Sequence, residues 1–197
     1  MSNESLNNIS KEIFSGAPLY SIAELVESSE GMPVLNIKDI KDFNIPIQNL
    51  TLFTPKSSGD IEKYFVYPED VIITCRGTQS KIGIMPPTIE KAIITSNLIC
   101  IRPSEKILPY YLAAYLRTSA GQKSLASIAA SSTMQIVLSV ADIKELKIPV
   151  PPLDVQKKIV SLIESSEEFY RTALEEADTR RKITEQILMD IVNTMED

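Results

Sequence analysis

The chain has 197 residues, of which 44% are hydrophobic and 23% charged, a composition typical of a soluble protein with one ordinary domain and an appendage. It contains no histidine, which excludes Ser–His or Cys–His catalysis and any metal site that needs histidine. The net charge of −6 is unevenly distributed, since residues 1–152 hold 14 basic and 15 acidic residues, whereas residues 153–197 hold 6 and 11. The front part of the chain is therefore free to present a local basic face.

The N-terminal segment (MSNESLNNISKE) is polar and has no signal-peptide pattern. No window approaches the roughly 18 uninterrupted apolar residues that a membrane span requires. Cys75 and Cys100 lie far apart in apolar runs, and in the cytosol such residues are expected to be buried free thiols rather than a disulfide. The sequence therefore predicts a cytoplasmic protein without a membrane span.

Short β-branched runs dominate residues 1–152, and they are bounded by Gly, Pro, Asn, Asp and Ser, as strands usually are. Few of these runs alternate cleanly between apolar and polar residues, which indicates strands buried on both faces or strongly curved. The predicted strands are Pro33–Ile37, Val71–Cys75, Lys81–Met85, Ile93–Ile101 and Leu146–Val150. This part of the chain is predicted to be an α/β (α+β) domain with a mixed sheet.

Two short helices interrupt the strands. Pro109–Thr118 combines helix formers with a one-sided stripe of aromatic and aliphatic residues. Its tyrosines Tyr110, Tyr111 and Tyr115 are interpreted as core residues rather than as a ladder that stacks on bases. Ser139–Asp142 has the pattern of a capping box, in which the Ser hydroxyl and the Asp carboxylate bind free N–H groups at the start of a helix.

A long C-terminal helix is predicted after the proline-rich segment Ile148–Pro152, which is stiff and extended and divides the chain into domains 1–152 and 153–197. Asp154–Met195 contains no Pro or Gly and gives a helix of roughly 60 Å. An apolar seam, the stripe of residues that would face a partner helix, runs along it and is interrupted by charged residues at Asp178–Lys182. Spacings of three and four connect the seam residues Ile159, Ile163, Ser166, Tyr170, Ala173, Ala177, Thr184, Ile187 and Ile191.

Two arrangements of this helix are open. It could lie along its own domain, or it could pair with a helix supplied by another chain. Because a 150-residue domain has a radius of gyration of about 15 Å, the helix is longer than the domain that would have to cover it. Pairing with a second helix as a coiled coil is therefore the favoured arrangement.

Five segments resemble, in the same order, those of type I restriction–modification specificity subunits. The junction LKIPVPPLDVQKKIVSLIE (Leu146–Glu164) combines an apolar strand, Pro-Pro-Leu and a helix that opens with an acidic residue and Gln. YPEDVIITCRGTQSKIGIMP (Tyr67–Pro86) contains the Arg-Gly-Thr and Lys-hydrophobic-Gly pattern of the family. The remaining three segments are GMPVLNIKDI (Gly31–Ile40), Ser96–Leu116 and ASSTMQIVL (Ala130–Leu138).

The resemblance implies that the front domain is a target-recognition domain, which binds one half of a split site in double-stranded DNA. It also implies that the long helix packs antiparallel against another such helix. Family members usually carry two domain-plus-helix units, and this chain carries one. We therefore expect a half-length subunit that forms a homodimer and recognises a symmetric, interrupted target.

Partners supply the chemistry in this family. The resemblance implies that methyltransferase subunits dock on the helices and bring S-adenosylmethionine, and that a restriction subunit joins through them. The specificity subunit itself is expected to have no catalytic residue, no metal site and no cofactor. In agreement, neither Met85–Thr88 nor Val150–Leu153 supplies the polar residue of an amino-methyltransferase (Asp/Asn)-Pro-Pro-(Tyr/Phe) loop.

The segment Arg76–Gly83 is the first candidate for DNA contact, because it combines cations, an amide, hydroxyls and glycines between two apolar strands. Arg76 and Gln79 are able to bind guanine and adenine edges in bidentate fashion, and Thr78, Ser80 and Lys81 suit phosphates. The alternative is a solvated hairpin loop in which Arg76 pairs with Glu69 or Asp70.

The segment Ala130–Gln135 is the second candidate, and its alternative is a turn capped by its own hydroxyls. The candidate contacts in it are Ser131, Ser132, Thr133 and Gln135. Further phosphate contacts are open for Lys38, Lys41, Lys56 and Lys63. A metal-dependent nuclease site built from Asp142, Glu145 and Lys147 is disfavoured, because Asp142 is too close in sequence to come from a neighbouring strand.

Two other functions are kept as alternatives to DNA recognition by a homodimer. The front domain could be a protein-interaction module whose helix serves as a dimerising coiled coil, with no role in DNA binding. The chain could also lend its recognition domain to a larger specificity subunit by exchanging halves through the same helix.

Overall fold

The computed structural model describes residues 2–18, 25–41, 43, 45–46, 50–55, 61–129 and 136–195. The chain divides into two compact units, one ending at Lys157 and the other beginning at Lys158. Of the described residues, the first unit contains the strands and the shorter helices, and the second contains the remainder of the long C-terminal helix. The predicted class, a mixed α/β domain followed by a long helix, is confirmed.

The strands and helices follow one another in a β-rich order. The strands are β1 Ser2–Ser5, β2 Ser10–Ser15, β3 Leu25–Leu35, β4 Leu52–Pro55, β5 Phe65–Val66, β6 Val71–Thr74, β7 Arg76–Gly77, β8 Ile82–Ile84, β9 Ala92–Ile94, β10 Leu98–Pro103, β11 Ile136–Val137 and β12 Lys147–Val150. The helices are α1 Leu6–Ile9, α2 Pro109–Arg117, α3 Ser119–Ile128, α4 Val140–Glu145 and α5 Leu153–Met195.

Two four-stranded sheets form the body of the first unit. One has the order β2-β10-β6-β8 and is antiparallel throughout. The other has the order β4-β3-β9-β5 and is mixed, because β3 and β9 run parallel while the outer pairs are antiparallel. Two further ribbons pair β1 with β12 and β7 with β11.

One apolar cluster of the described residues includes side chains from both four-stranded sheets. It includes Leu35 and Ile94 from the mixed sheet and Ile72 and Cys100 from the antiparallel sheet. All four side chains are fully buried. Burial of such side chains is the main stabilising contribution to a domain of this size. The strands lack clean alternation because β6 and β8 are buried along their whole length.

The predicted strand Ile93–Ile101 is wrong as a single strand. A turn at Ser96 and Asn97, closed by a hydrogen bond from Leu98 N to Thr95 O of 2.8 Å, separates β9 from β10. The two strands belong to different sheets, so the apolar run crosses from one sheet to the other. A run that is buried throughout carries no periodicity to mark this crossing.

The predicted strand Pro33–Ile37 is too long at its C-terminal end. Strand β3 ends at Leu35, and Ile37–Asp39 forms a single turn of 3-10 helix. Asn36 and Asp39 form a capping box around this turn, with Asn36 N donating to Asp39 Oδ2 at 2.8 Å. The local capping bonds outweigh the β preference of Ile37.

The helix predictions are confirmed, but two short helices of the described residues, α1 and α3, were not predicted. Helix α2 buries Tyr111, Leu112 and Leu116, and the capping box at Ser139 opens α4. Helix α5 begins at Leu153, one residue before the predicted start. Helix α3 was not predicted, because its sequence (SAGQKSLASI) is rich in Ser and carries a Gly in its first turn.

Both cysteines are free and buried, as predicted. Burial raises the pKa of the Cys75 thiol and raises that of Cys100 well above its ordinary value. Neither is therefore activated as a thiolate nucleophile. Within the described residues, no helix is both long and apolar enough to cross a membrane.

Candidate nucleic-acid interface

Strands β6 and β8 form a hairpin whose tip, residues 75–81, leaves the sheet. Thr74 N donates to Lys81 O at 3.0 Å, and Lys81 N donates to Thr74 Oγ1 at 2.9 Å, which closes the base of the tip. Beyond this point Cys75 N donates to Asn97 O at 3.0 Å. Gly77 has a φ of +145°, a backbone conformation that residues other than glycine rarely adopt. The hairpin tip therefore has a defined backbone shape.

The hairpin tip presents most of its polar side chains to solvent. Arg76, Thr78, Gln79 and Lys81 are exposed. Ser80 is 4% exposed, and its hydroxyl has no hydrogen-bond partner among the described residues. The four exposed side chains are available to a ligand, whereas Ser80 fits a supporting position in the tip.

The hairpin tip pairs with the strand that directly follows the second candidate segment in the chain. Strand β11 pairs antiparallel with β7, with Ile136 opposite Gly77 and Val137 opposite Arg76. Leu138 N donates to Cys75 O at 2.9 Å and extends this contact. Two segments more than fifty residues apart in sequence therefore form one ribbon.

The side chains proposed in the second segment lie outside the described residues. These are Ser131, Ser132, Thr133 and Gln135. The described chain resumes at Ile136, directly after them, in the strand that pairs with Arg76 and Gly77.

The alternative interpretation of this loop pairs Arg76 with Glu69 or Asp70, but Asp70 pairs with Arg102 instead. Its carboxylate accepts hydrogen bonds from Arg102 Nε at 3.0 Å and Nη2 at 2.9 Å, and from Tyr67 N at 2.9 Å. Within the described part of the chain, no ion pair involves Arg76. The guanidinium of Arg76 is thus an exposed cation at the edge of the ribbon.

Arg102 is a structural residue rather than a ligand-binding one. Its Nη1 donates to Glu12 Oε2 at 2.6 Å and its Nη2 to Phe65 O at 3.1 Å, in addition to the two bonds to Asp70. Desolvation lowers the pKa of Arg102, but the hydrogen bonds and charge of Asp70 outweigh it, so the pKa is raised overall. The guanidinium also lies over the Tyr67 ring, 5.1 Å from its centroid.

The remaining sequence candidates lie in varied surroundings. Lys38, Lys41 and Lys63 are exposed, and Lys63 lies 5.3 Å from the Tyr64 ring centroid. Lys56 lies outside the described residues. The structure brings none of these described lysines into the ribbon of β7 and β11.

The tyrosines of α2 pack as predicted rather than forming a stacking ladder. Tyr111 is buried, and its hydroxyl donates to Pro149 O at 2.9 Å. Burial raises the pKa of this phenol. Tyr110 stacks on Phe43 with ring centroids 5.5 Å apart.

The sequence did not predict the corner between α2 and α3, which contacts the backbone of the hairpin. Gln122 Nε2 donates to Ser80 O at 3.0 Å, and Arg117 Nη1 donates to Ile82 O at 3.2 Å. Thr118 caps α3 by accepting a hydrogen bond from Gly121 N at 3.1 Å. The signal in the sequence was this Thr before a short run of helix formers, a pattern that marks the start of a helix.

The C-terminal helix exposes a long apolar surface. Ile159 and Ile163 are half-buried, whereas the other seven predicted seam residues are exposed, as are several large apolar neighbours. The exposed seam residues are Ser166, Tyr170, Ala173, Ala177, Thr184, Ile187 and Ile191. The exposed neighbours include Leu162, Phe169, Leu174, Ile183 and Leu188. An exposed apolar patch of this extent marks an interaction surface.

In the charged middle of this helix, the acidic residues precede the basic ones. Glu175, Glu176 and Asp178 precede Arg180, Arg181 and Lys182. Within the helix, Arg180 pairs with Glu176 at 3.0 Å and Arg181 with Asp178 at 3.4 Å, and both pairs are solvent-exposed. Exposed pairs of this kind contribute little to stability, so the charges are available to a partner.

No metal-ligating cluster of His, Cys, Asp and Glu occurs among the residues that the structure describes. The disfavoured nuclease arrangement has a local explanation. Asp142 accepts hydrogen bonds from Ser139 Oγ at 2.6 Å and Ser139 N at 3.0 Å. These two bonds lower the pKa of the Asp142 carboxyl, the side-chain bond more than the backbone bond.

Comparison with known proteins gives one family match and one curated relative. A family model described as type I restriction modification DNA specificity domain matches residues 11–185. A protein of Methanocaldococcus jannaschii named as the MjaX type I restriction enzyme specificity subunit is 29% identical over 156 residues. This alignment covers 77% of the chain and 37% of the relative, so the chain spans little more than a third of the relative's length.

Solved structures share the fold at low sequence identity. An HsdS subunit from Thermoanaerobacter tengcongensis has a TM-score of 0.61 and 19% identity, covering 85% of this chain and 37% of that one. A chain from a study of complex assembly and conformational transition of the type I R-M system has a TM-score of 0.66 and 19% identity, with 89% and 40% covered. The type IIG restriction endonuclease BpuSI has a TM-score of 0.62 and 10% identity, with 82% and 26% covered.

Proposed function

The chain belongs to the family of type I restriction–modification DNA specificity domains, and from this premise we propose that it is a non-catalytic subunit that recognises half of a bipartite duplex DNA target. The observation that carries the proposal is the ribbon of β7 and β11. It joins the hairpin tip, with exposed Arg76, Gln79 and Lys81, to the strand that follows the second polar segment.

The chemistry of the exposed tip fits a groove of duplex DNA. Arg76 supplies a guanidinium that can bind guanine O6 and N7, and Gln79 supplies an amide that can bind adenine N6 and N7. Lys81 and Thr78 suit phosphate oxygens, which set the register of the protein on the duplex. A two-stranded ribbon is narrow enough to enter the major groove.

A second copy of the chain is the proposed partner of the C-terminal helix. The exposed apolar residues of α5 occupy both ends of the helix, on either side of the charged middle. A helix with such a surface is stabilised by a partner that covers it, since isolated helices are marginal in water. Two copies then place two recognition domains on one DNA molecule, and the target is symmetric and interrupted.

The order of charges in the helix favours an antiparallel pair centred between Asp178 and Thr179. In that register Glu175 and Glu176 lie at the height of the partner's Lys182 and the partner's Arg181. Tyr170 lies at the height of the partner's Ile187. A parallel pair in register would instead bring acidic residues against acidic ones and basic against basic, which is unfavourable.

The paired helices are also the proposed docking site for methyltransferase subunits. These would carry S-adenosylmethionine and the catalytic residues, and a restriction subunit would join through them. The specificity subunit would then contribute sequence choice alone.

The test is co-expression and co-purification with a type I methyltransferase subunit, followed by methylome sequencing of DNA from cells that express both. We expect methylation confined to one interrupted, palindromic motif. The matched control expresses the methyltransferase with the Arg76→Ala, Gln79→Ala and Lys81→Ala variant of the chain. Methylation at the same motif when the chain is omitted would show that the proposal is wrong.

A further inference from the structure

The corner between α2 and α3 holds the hairpin tip through its backbone. Gln122 Nε2 donates two hydrogen bonds, one to Ser80 O at 3.0 Å and one to Leu116 O at 2.8 Å. The first acceptor belongs to the hairpin tip and the second to the last turn of α2. One side-chain amide therefore ties the tip to a helix that is itself packed in the core.

The position of Gln122 is set by the residues before it. Thr118 caps α3, and Gly121 packs directly against the backbone of Tyr115 and Leu116, where a Cβ atom would overlap both. Glycine therefore lets the first turn of α3 approach the end of α2 closely. Gln122 is the next residue, so the backbone that carries its side chain is held in a fixed position.

The contact between Gln122 and the hairpin tip is polar and part-buried. The Gln122 Oε1 and Ser80 Oγ atoms are both buried and have no hydrogen-bond partner among the described residues. Burying unpaired polar atoms costs free energy, so an apolar pair would be the more stable filling for this position. The amide is therefore explained by the two hydrogen bonds that it donates rather than by packing.

We propose that Gln122 is a positioning residue for sequence recognition, which fixes the Ser80 carbonyl so that the side chains on either side of it, Gln79 and Lys81, meet the DNA at a defined height. Bidentate base contacts are directional and lose selectivity when their support loosens. The inference rests on the proposed function, because it assigns Gln122 a role in choosing the target.

The test uses the full chain with Gln122→Leu and Gln122→Glu. Leucine removes both donated bonds, and glutamate keeps the size but turns carboxylate oxygens toward the two carbonyls. The ratio of methylation at target sites to that at single-mismatch sites is expected to fall about tenfold, while binding to non-target DNA stays within about twofold, because exposed cations supply that binding. A variant that only unfolds in part would lower both quantities together.

Tyr111→Phe is the matched control, because it deletes one buried hydrogen bond of the same domain, to Pro149 O, away from the tip. It should leave the methylation ratio unchanged. Unchanged ratios in both Gln122 variants, with methylation still specific, would overturn the role of Gln122 and leave the proposed function intact.

Amide hydrogen exchange tests the positioning without any DNA. The Lys81 N–H, bonded to Thr74 Oγ1, should exchange about tenfold faster in Gln122→Leu than in Tyr111→Phe. Equal exchange in the two variants would overturn the inference even if the chain proved to have no role in methylation. Specific loss of protection would support the positioning of the hairpin tip by Gln122, and the methylation ratio then tests its role in choosing the target.

Discussion

Two arginines of the recognition domain lie in opposite environments. Arg102 donates to Asp70, Glu12 and Phe65 O, so its charge is neutralised and its donors are used within the fold. Arg76 lies exposed in the short ribbon strand, without an ion pair to any described residue. A cation that the fold does not neutralise is available to the DNA target that we propose, because neutralising phosphates releases counterions.

Replacing Arg76, Gln79 and Lys81 together by Ala should abolish site-specific DNA binding while the dimer persists. Single substitutions should separate the roles: Arg76→Ala should cost about 1–3 kcal/mol at the target and relax one base position, and Lys81→Ala should reduce the salt slope by about one. Fluorescence anisotropy at several salt concentrations measures both, and analytical ultracentrifugation measures the dimer. A triple variant with normal site-specific binding would favour the protein-interaction module.

At the scale of the element, hydrogen bonds at helix starts join segments that are distant in sequence. Gln156, in the first turn of α5, is 0% exposed and accepts from Leu108 N at 2.8 Å. Its Nε2 donates to Lys106 O at 3.1 Å and Pro151 O at 2.8 Å. This one amide therefore connects the start of the long helix with the segment that leads into α2.

Gln156→Leu should lower the free energy of unfolding by about 2 kcal/mol, because it removes three hydrogen bonds of a buried amide and leaves backbone groups at Lys106, Leu108 and Pro151 without these partners. Lys157→Ala, at the exposed neighbouring position, is the control and should change the unfolding free energy by less than about 0.5 kcal/mol. Urea denaturation followed by circular dichroism measures both. Equal midpoints would contradict the anchoring role.

The capping box of α4 makes a pH-dependent contribution. Ser139→Ala should lower the free energy of unfolding by about 1 kcal/mol, since the hydroxyl accepts from Asp142 N. Because the folded pKa of Asp142 is lowered from 3.8, its contribution is present above pH 3.8 and is lost as the pH falls through the folded value. Thermal unfolding between pH 7 and pH 3 should therefore show a weaker acid dependence in Ser139→Ala than in the exposed control Ser127→Ala.

At the scale of the whole molecule, acidic charge and the exposed apolar surface of the described residues are concentrated in residues 153–197. The C-terminal 45 residues hold 11 acidic and 6 basic side chains and most of the large exposed apolar residues. A net charge of −6 disfavours tight DNA binding by the isolated chain. The partners that we propose for the helix therefore also have to contribute much of the affinity for DNA.

A cysteine near the centre of the helix tests the antiparallel pair. Ala177→Cys should form disulfide-linked dimers on mild oxidation, because residue 177 lies about 5 Å along the axis from its counterpart. Ile191→Cys should not, because its counterpart lies about 40 Å away in the same register. Non-reducing electrophoresis distinguishes the two, and the native Cys75 and Cys100 are buried. Efficient cross-linking of both variants would instead indicate a parallel pair, and a monomer by ultracentrifugation would favour exchange with a larger subunit.

The features that the sequence determined by itself are those set by neighbouring residues. The extent of α5 follows from the absence of Pro and Gly after Pro152, and the start of α4 follows from the spacing of Ser139 and Asp142. The charge order in the middle of α5 is likewise a property of consecutive residues. Helix hydrogen bonds and caps join residues three or four apart, so the local pattern is enough to predict them.

Only the tertiary structure decided which strands pair and which side chains of the candidate site are exposed. The crossing of residues 93–101 between two sheets, the pairing of β7 with β11 and the burial of Ser80 depend on contacts between distant segments. Helix α3 and the contact of Gln122 with the hairpin tip depend on them too. Strand pairing and burial are decided by which distant surfaces come together, and no local pattern records that choice.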